Sequence, residues 1–473
     1  MPTFQKLSLV LCLGLLLAGC KDDFLELAPL SNANANNFYK TKADFDLAVN
    51  AAYSTLYVTF APESGISYAA EQMSDNATLY NVAGIQADRW AFKDYALNPS
   101  NTEVYRFWRE HYSALFSVNI VLDRIEAAEL DEAYKDQVRA EMRFLRGMYY
   151  YYMVQMWGPV PLVTKPLTAE ESYDYLRAPE AEIYAQITSD LTFAAERLPL
   201  TTQVPALGRA SKGAAQTFLA KVYLTQGDKA AATQQLQAVV SSGQYALLDD
   251  YDDLWAVANK NTQESIFEIQ YLGGAGNPFS PYWTSFSPTE NFTLTQYGGG
   301  MNQVTDDLYN EFEEGDPRRE RTIALGYTNN AGTFVSIKFP YKWVDTNAVI
   351  VNGRELADNN FMVLRYADVL LLLTEATGDP SYLNQVRARV GLPGFGEAGY
   401  PSDLYPTVER ALEHERRVEL ALEFHRFFDL KRTGRAVEVL QAKGKPVTEG
   451  KLVMPIPEMV RQQNPGIEQN AAY

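Results

Sequence analysis

A chain of 473 residues that is 47% hydrophobic carries enough apolar surface to fold around a large core, as one big domain or two intimate ones. Its 41 basic against 59 acidic residues give a net charge of −18, which argues against a nucleic-acid partner and offers no electrostatic pull toward anionic lipid. The two cysteines, Cys12 and Cys20, stand near the start, so the body has no disulfide or thiolate metal cluster, and 30 tyrosines with 23 phenylalanines predict exposed rings as well as core.

Residues 1–19 read as a secretory leader: Lys6 precedes an apolar run from Leu7 to Leu17 that is too short to span a bilayer. The run ends Leu17-Ala18-Gly19-Cys20, which resembles the bacterial lipoprotein signal. That resemblance implies cleavage before Cys20 and a lipid, palmitate among its acyl chains, attached through the Cys20 sulfur. Lys21-Asp22-Asp23 resembles the tag that sends Bacteroidetes lipoproteins to the outer face of the outer membrane. Residues 20–40, rich in Asn, Ala and Pro without period, are then a lipidated tether.

The spacing of Phe45, Ala48, Ala52 and Leu56 predicts a helix over 41–59, and that of Phe107, Tyr112, Leu115, Val118 and Leu122 another over 102–128. Between them, 63–100 reads as a long functional connection carrying Tyr68, Tyr80, Trp90, Phe92 and Tyr95. A further helix over 137–157 includes four consecutive tyrosines; neighbours on a helix point about 100° apart, so most of these rings must be core. It stops at Gly158-Pro159, a helix over 179–197 returns, and 211–226 with 229–242 make a hairpin about Gly227-Asp228. A second hairpin, 365–377 with 381–390, turns on Gly378-Asp379-Pro380. From 244 to 362 the helical period gives way to short alternating runs, 265–271 and 334–344, which read as strands in an inserted region. Within it, 271–297 holds Tyr271, Phe279, Tyr282, Trp283, Phe286, Phe292 and Tyr297 among small polar residues with Glu290 alone charged, a composition like that of an antibody paratope.

Residues 409–434, ERALEHERRVELALEFHRFFDLKRTG, predict one buried helix. Glu413 is spaced to meet Arg416 and Arg417, Glu419 to meet Arg416, and Glu423 to meet Arg426, so its charges are expected to clasp within the helix rather than to serve as catalytic acids.

Several blocks together resemble the SusD/RagB family of surface lipoproteins that partner TonB-dependent transporters. They are the Cys20 leader, RFLRGMYYYYMVQMWGPVPLVT at 143–164, SKGAAQTFLAKVYLTQGD at 211–228, RYADVLLLLTEA at 365–376, LNQVRARVGLP at 383–393, ERRVELALEFHRFFDLKRTG at 415–434 and MPIPEMVRQQNPGIEQNAAY at 454–473. The resemblance implies a mainly α fold, with about four tetratricopeptide-like helix pairs and an irregular insertion near 244–362, making one domain over 41–473. It also implies no catalysis, an outer-membrane surface location, and capture of oligosaccharides, or peptides in some members, for a SusC-like transporter.

A receptor for neutral sugars needs flat apolar rings and planar polar groups. Trp283 and Tyr282 suit the first need, with Trp90, Tyr80 and Trp343 completing a platform and Asn76, Asp88 and Arg89 as polar readers. On this reading Trp283→Ala abolishes glycan binding with the fold unchanged. An enzyme has less to work with: His111, His414 and His425 all fall in helical stretches, and no nucleophile elbow, zinc-binding or phosphate-binding motif is present. A glycosidase would need paired carboxylates, for which Glu415 with Glu419 and the acids of 249–253 are the candidates. No cofactor is expected. Calcium at that acidic run is the one metal considered, against the absence of the EF-hand glycine and distal glutamate.

Overall fold

The computed structural model describes residues 38–79, 87–288, 298–351 and 354–473. The leader, Cys20, most of the tether, Tyr80, Glu290, Phe292 and Tyr297 lie outside the described residues.

Local capping chemistry starts the helices close to where their apolar period does. Thr41 accepts from Asp44 N while the Asp44 carboxylate accepts from Thr41 N, a reciprocal box that opens α1 (Lys42–Ser54). Asn101 and Asp131 cap α2 (Thr102–Glu126) and α3 (Glu132–Trp157). The Asp131 cap explains why α3 starts at Glu132 rather than at 137. Next come α4 (Glu180–Arg197), α5 (Lys212–Thr225), α6 (Lys229–Ser241), α7 (Tyr366–Thr377) and α8 (Pro380–Arg389). Consecutive helices from α1 to α8 pack on one another in series, the tetratricopeptide-like arrangement. The α5–α6 and α7–α8 hairpins turn at Gly227 and Gly378, with φ of +80° and +73°, and the aspartate after each glycine caps the next helix.

The four tyrosines of α3 are core: Tyr149 to Tyr152 are at most 5% exposed. Tyr150 donates to Val163 O, Tyr149 bonds the Thr55 hydroxyl, and Tyr151 and Tyr152 pack on Phe218. Gly147 precedes them for a steric reason. A Cβ there would sit 2.9 Å from Leu191 Cγ, so its bare backbone is what lets α4 approach α3 this closely.

Residues 63–100 are not the open connection expected. Gly65–Ser67 is helical, Tyr68–Gln72 is a π-turn, and Ala87–Lys93 is helical again. Tyr68, Phe92 and Tyr95 are at most 3% exposed, so these rings were a core signal. In the inserted region Ser265–Ile269 pairs antiparallel with Phe361–Arg365, bringing the region's two ends side by side. Hairpins Ile323–Thr328 with Phe334–Pro340 and Val349–Val351 with Arg354–Leu356 project from it. Ala77–Thr78 pairs with Gln303–Val304 and ties the region to the N-terminal half.

The single helix expected over 409–434 is two, α9 (Val408–Glu419) and α10 (Arg426–Arg432). Leu422 and Phe424 between them take φ of +67° and +66°. Left-handed backbone costs a non-glycine residue about 1 kcal/mol or more. The break offsets that cost by turning Glu423 onto Arg365 and Lys342 and setting Phe424 against Phe361, ring centroids 4.7 Å apart. The charges of this stretch are buried and paired, but chiefly with other elements rather than within one helix. Arg416 reaches Asp368 and Asp429, Arg417 reaches Asp75, Asp307 and Glu311, and Arg426 reaches Asp75. Glu419 receives Arg318, Arg365 and Arg389.

Candidate functional site

Three of the rings expected to form an open platform are interior. Tyr282, Trp283 and Trp343 are 0%, 1% and 1% exposed. Tyr282 stacks on Phe361 at 4.8 Å and 12° and donates its hydroxyl to Phe60 O, and Trp343 stacks on the same Phe361 at 5.3 Å and 22°. Trp283 packs with Tyr327, Phe339, Val344 and Ala357. This corrects the expectation: with their faces against protein, none of the three can receive a sugar ring. The paratope-like composition here marks the short helix Tyr282–Phe286, which folds inward with Tyr282 and Phe286 in the core that holds Phe361, and with Trp283 in a second apolar cluster.

The expected polar readers are also engaged. Asn76, 1% exposed, accepts from Arg417 Nε at 3.0 Å. Asp88 Oδ2 accepts from Thr102 N at 2.8 Å, satisfying a free amide of the first turn of α2. Arg89 spans Glu63 and Glu103, each at 3.0 Å. Asp88 and Arg89 fasten the helix that carries Trp90 to the start of α2, and Asn76 is held against α9.

Trp90 differs. It lies on the helix Ala87–Lys93, half-buried, with the Lys93 ammonium 4.9 Å from its ring centre. Leu79 and Ala87 flank the segment that contains Tyr80, two residues beyond the Ala77–Thr78 pairing with Gln303–Val304. Gly298, five residues before Gln303, approaches Pro288 so closely that a Cβ would overlap its carbonyl. Leu79 and Gly298 thus lie within five residues of one short strand pair. Sequence reasoning did not single out Phe334, which is 62% exposed at the start of its hairpin strand; the adjoining Gly332-Thr333 turn was the available signal.

The candidate catalytic carboxylates are bound into ion pairs. Glu415 receives Arg318 and Arg387, and Glu419 receives three arginines, all with side chains at most 2% exposed. Burial opposes ionisation of Glu419, yet Arg389, Arg365 and Arg318 hold its carboxyl well below the usual carboxylate range, the reverse of what a general acid needs. Burial pushes His111 and His425 down to about 4. Burial disfavours the charge of His414, yet Glu311 and Glu313 at its two ring nitrogens raise its pKa above the ordinary imidazole value. Asp249, Asp250, Asp252 and Asp253 are exposed, with Asp250 accepting from Asp252 N and Asp253 from Asn259. Among the described residues no group of three or more acid, histidine or cysteine side chains is arranged to hold a metal ion.

Residues 23–224 match a family model described as starch-binding and associating with the outer membrane, and residues 326–473 match that of the SusD family. The chain belongs to the SusD family. A SusD-like protein of Formosa agariphila, P2, is 27% identical over 497 residues, covering 95% of this chain and 96% of its own. A SusD-like protein of Bacteroides ovatus is 25% identical over 475 residues, covering 90% and 82%. Among solved structures, a laminarin-binding SusD-like protein superposes with a TM-score of 0.78 at 30% identity, covering 92% of this chain and 100% of its own. The SusD likeness has a physical counterpart here. The internal blocks that carry it each hold part of a buried ion pair: Arg146 with Asp190, Lys221 with Asp368, Arg365 with Glu264, Arg387 with Glu415, and Arg416 with Asp429.

Proposed function

We propose that this chain is a lipid-anchored surface receptor that captures a neutral glucan of the laminarin type and passes it, uncleaved, to a SusC-like TonB-dependent transporter. The observation that carries the reading is the similarity to a laminarin-binding SusD-like protein over 92% of the chain at 30% identity. Three physical features support it. A net charge of −18 repels anionic polysaccharides and is indifferent to neutral ones. Trp90 is half-buried on the helix that follows, in sequence, the segment carrying Tyr80. The paired acids Glu415 and Glu419 are consumed by arginines, leaving that pair unable to cleave a glycosidic bond.

We assign the ligand contact to Trp90 with Tyr80, the Cys20 sulfur to the lipid, and the outer membrane to its location. Isothermal titration with laminarihexaose, maltohexaose and chitohexaose tests the receptor reading, with Trp90→Ala as the site probe. Loss of a central stacking ring costs about 2 kcal/mol, some thirtyfold in affinity. Saturable laminarihexaose binding that Trp90→Ala weakens about thirtyfold is expected. Unaltered affinity in the variant overturns the site, and release of shorter sugars overturns the receptor reading in favour of a hydrolase. Labelled palmitate retained by the wild type and lost in Cys20→Ala, with a TonB-dependent transporter co-purifying, tests anchor and partner.

A further inference from the structure

Trp255 and Trp343, 4% and 1% exposed, meet edge to face with ring centroids 5.3 Å apart. Their carbon surfaces are committed to packing: Trp343 stacks on Phe361, and the Lys342 ammonium lies 4.5 Å from the Trp255 ring centre. Their nitrogens are not committed. Neither indole Nε1 has a hydrogen-bond partner among the described residues, and neither has Oδ1 of Asn359, which is 6% exposed. All three residues line one cavity of about 20 Å³. The charged groups beside them are already engaged: Glu268 accepts from Asn261 N and Asn360 Nδ2, Lys342 donates to Glu423, and Lys260 donates to Asp358.

The donor and acceptor inventory defines the occupant. An indole N–H only donates and an amide oxygen only accepts. One small centre that serves all three atoms must accept two hydrogen bonds and donate one. A hydroxyl oxygen does this. An anion leaves Asn359 unserved, a cation leaves both indoles unserved, and an apolar group serves none. The volume exceeds the roughly 10–15 Å³ that one water needs and is far short of a sugar ring. Leaving three buried polar atoms unpaired also costs more than immobilising one water.

We propose that this cavity is a receptor for a single hydroxyl oxygen, bonded to Trp255 Nε1, Trp343 Nε1 and Asn359 Oδ1. In the unliganded protein the hydroxyl is that of water. It cross-links the turn Asp252–Trp255, the Trp343 segment and the residues leading into Phe361–Arg365, three stretches with no strand pairing to one another at these positions. Half-buried Asn259, Lys260 and Asn360 line the same cavity, so a saccharide hydroxyl is the second source of this chemistry; that source alone rests on the glucan reading.

A high-resolution crystal structure and amide-detected NMR of the purified protein decide the matter. The chain has six tryptophans, and Trp255→Phe and Trp343→Phe assign the two relevant indole signals. The expected result is an oxygen peak within hydrogen-bond reach of all three atoms, with both indole protons cross-relaxing with the water line. At saturating laminarihexaose, an unchanged water contact identifies a permanent water, and transfer to sugar protons identifies a saccharide hydroxyl. An empty cavity together with indole protons silent toward water and sugar overturns the proposal. If either variant fails to fold, the electron density alone decides. Failure of the hexasaccharide to bind sinks the glucan reading and leaves the water result standing.

Discussion

Arg365→Met probes the ion-pair core most sharply. Arg365 is 1% exposed and donates to Glu423 at 2.7 and 3.0 Å, to Glu264 at 2.9 Å, and to both the carboxylate and the carbonyl of Glu419. Without it, Glu419 keeps Arg318 and Arg389, and Glu264 keeps Arg389 and Leu248 N. Glu423 keeps Lys342 alone, so it is the carboxylate left most exposed to an uncompensated interior. Removing one partner of a buried pair costs about 3–5 kcal/mol, a large share of the roughly 5–15 kcal/mol that stabilises a folded domain. Urea unfolding at pH 7.5, followed by tryptophan fluorescence, should show that loss. Adding Glu423→Gln should recover about 1–2 kcal/mol of it. The sign of the pH dependence follows from the Glu423 carboxyl. Burial pushes it up, but Arg365 and Lys342 bring it below its ordinary value. Its stabilisation is therefore present above the ordinary carboxylate pKa of about 4.3 and is lost as pH falls through the lowered folded value. The deficit of Arg365→Met should be largest at neutral pH and shrink toward pH 4, where protonation relieves the stranded acid. A loss below about 1 kcal/mol, or one constant with pH, refutes the reasoning.

Trp283→Ala should lower stability by about 3–5 kcal/mol in the same assay, because it empties a buried aromatic site rather than a ligand platform; an unchanged urea midpoint contradicts this. Gly147→Val forces side-chain atoms into Leu191 and should cost about 1–3 kcal/mol, with Leu191→Ala in the same chain relieving part of it. Glu71, fully buried in the π-turn, is pushed up to about 7 by burial despite accepting from Phe424 N. Its folded pKa lies above its unfolded value, so its ionisation removes stability as pH rises from about 4.5 to 7. Glu71→Gln should accordingly be neutral near pH 4 and stabilising at pH 8 by on the order of 3 kcal/mol; a destabilised variant at pH 8 sinks the assignment.

The helical scaffold was legible because its signals are local. Caps at Thr41, Asn101, Asp131, Asp228 and Asp379, the Gly227 and Gly378 turns, and the apolar period set α1 to α8 with end shifts of a few residues. The failures share a cause. In 409–434 the period of three and four suggested one helix with internal clasps. The break at Leu422 and Phe424 is driven by Arg365, Lys342 and Phe361, partners 58 or more residues away that no local pattern names. Tyr282, Trp283 and Trp343 failed in the same way. Rings among glycines and serines look alike whether they face solvent or protein; Tyr282 and Trp343 are buried by Phe361, and Trp283 by Tyr327, Phe339, Val344 and Ala357, partners that lie well beyond the local pattern. Trp90, on a short helix, is half-buried, packed against the core with the Lys93 ammonium over its ring, so of the described rings proposed for the platform it alone is not fully interior.

The central claim is retention of a neutral glucan without turnover. Titration of laminarihexaose into the purified protein, with chromatography of the sugar recovered from the cell, measures both halves at once. The account predicts saturable binding whose affinity is indifferent to salt, since the ligand is uncharged, and recovery of the hexasaccharide intact. Absence of binding, or recovery of shorter oligosaccharides, contradicts it.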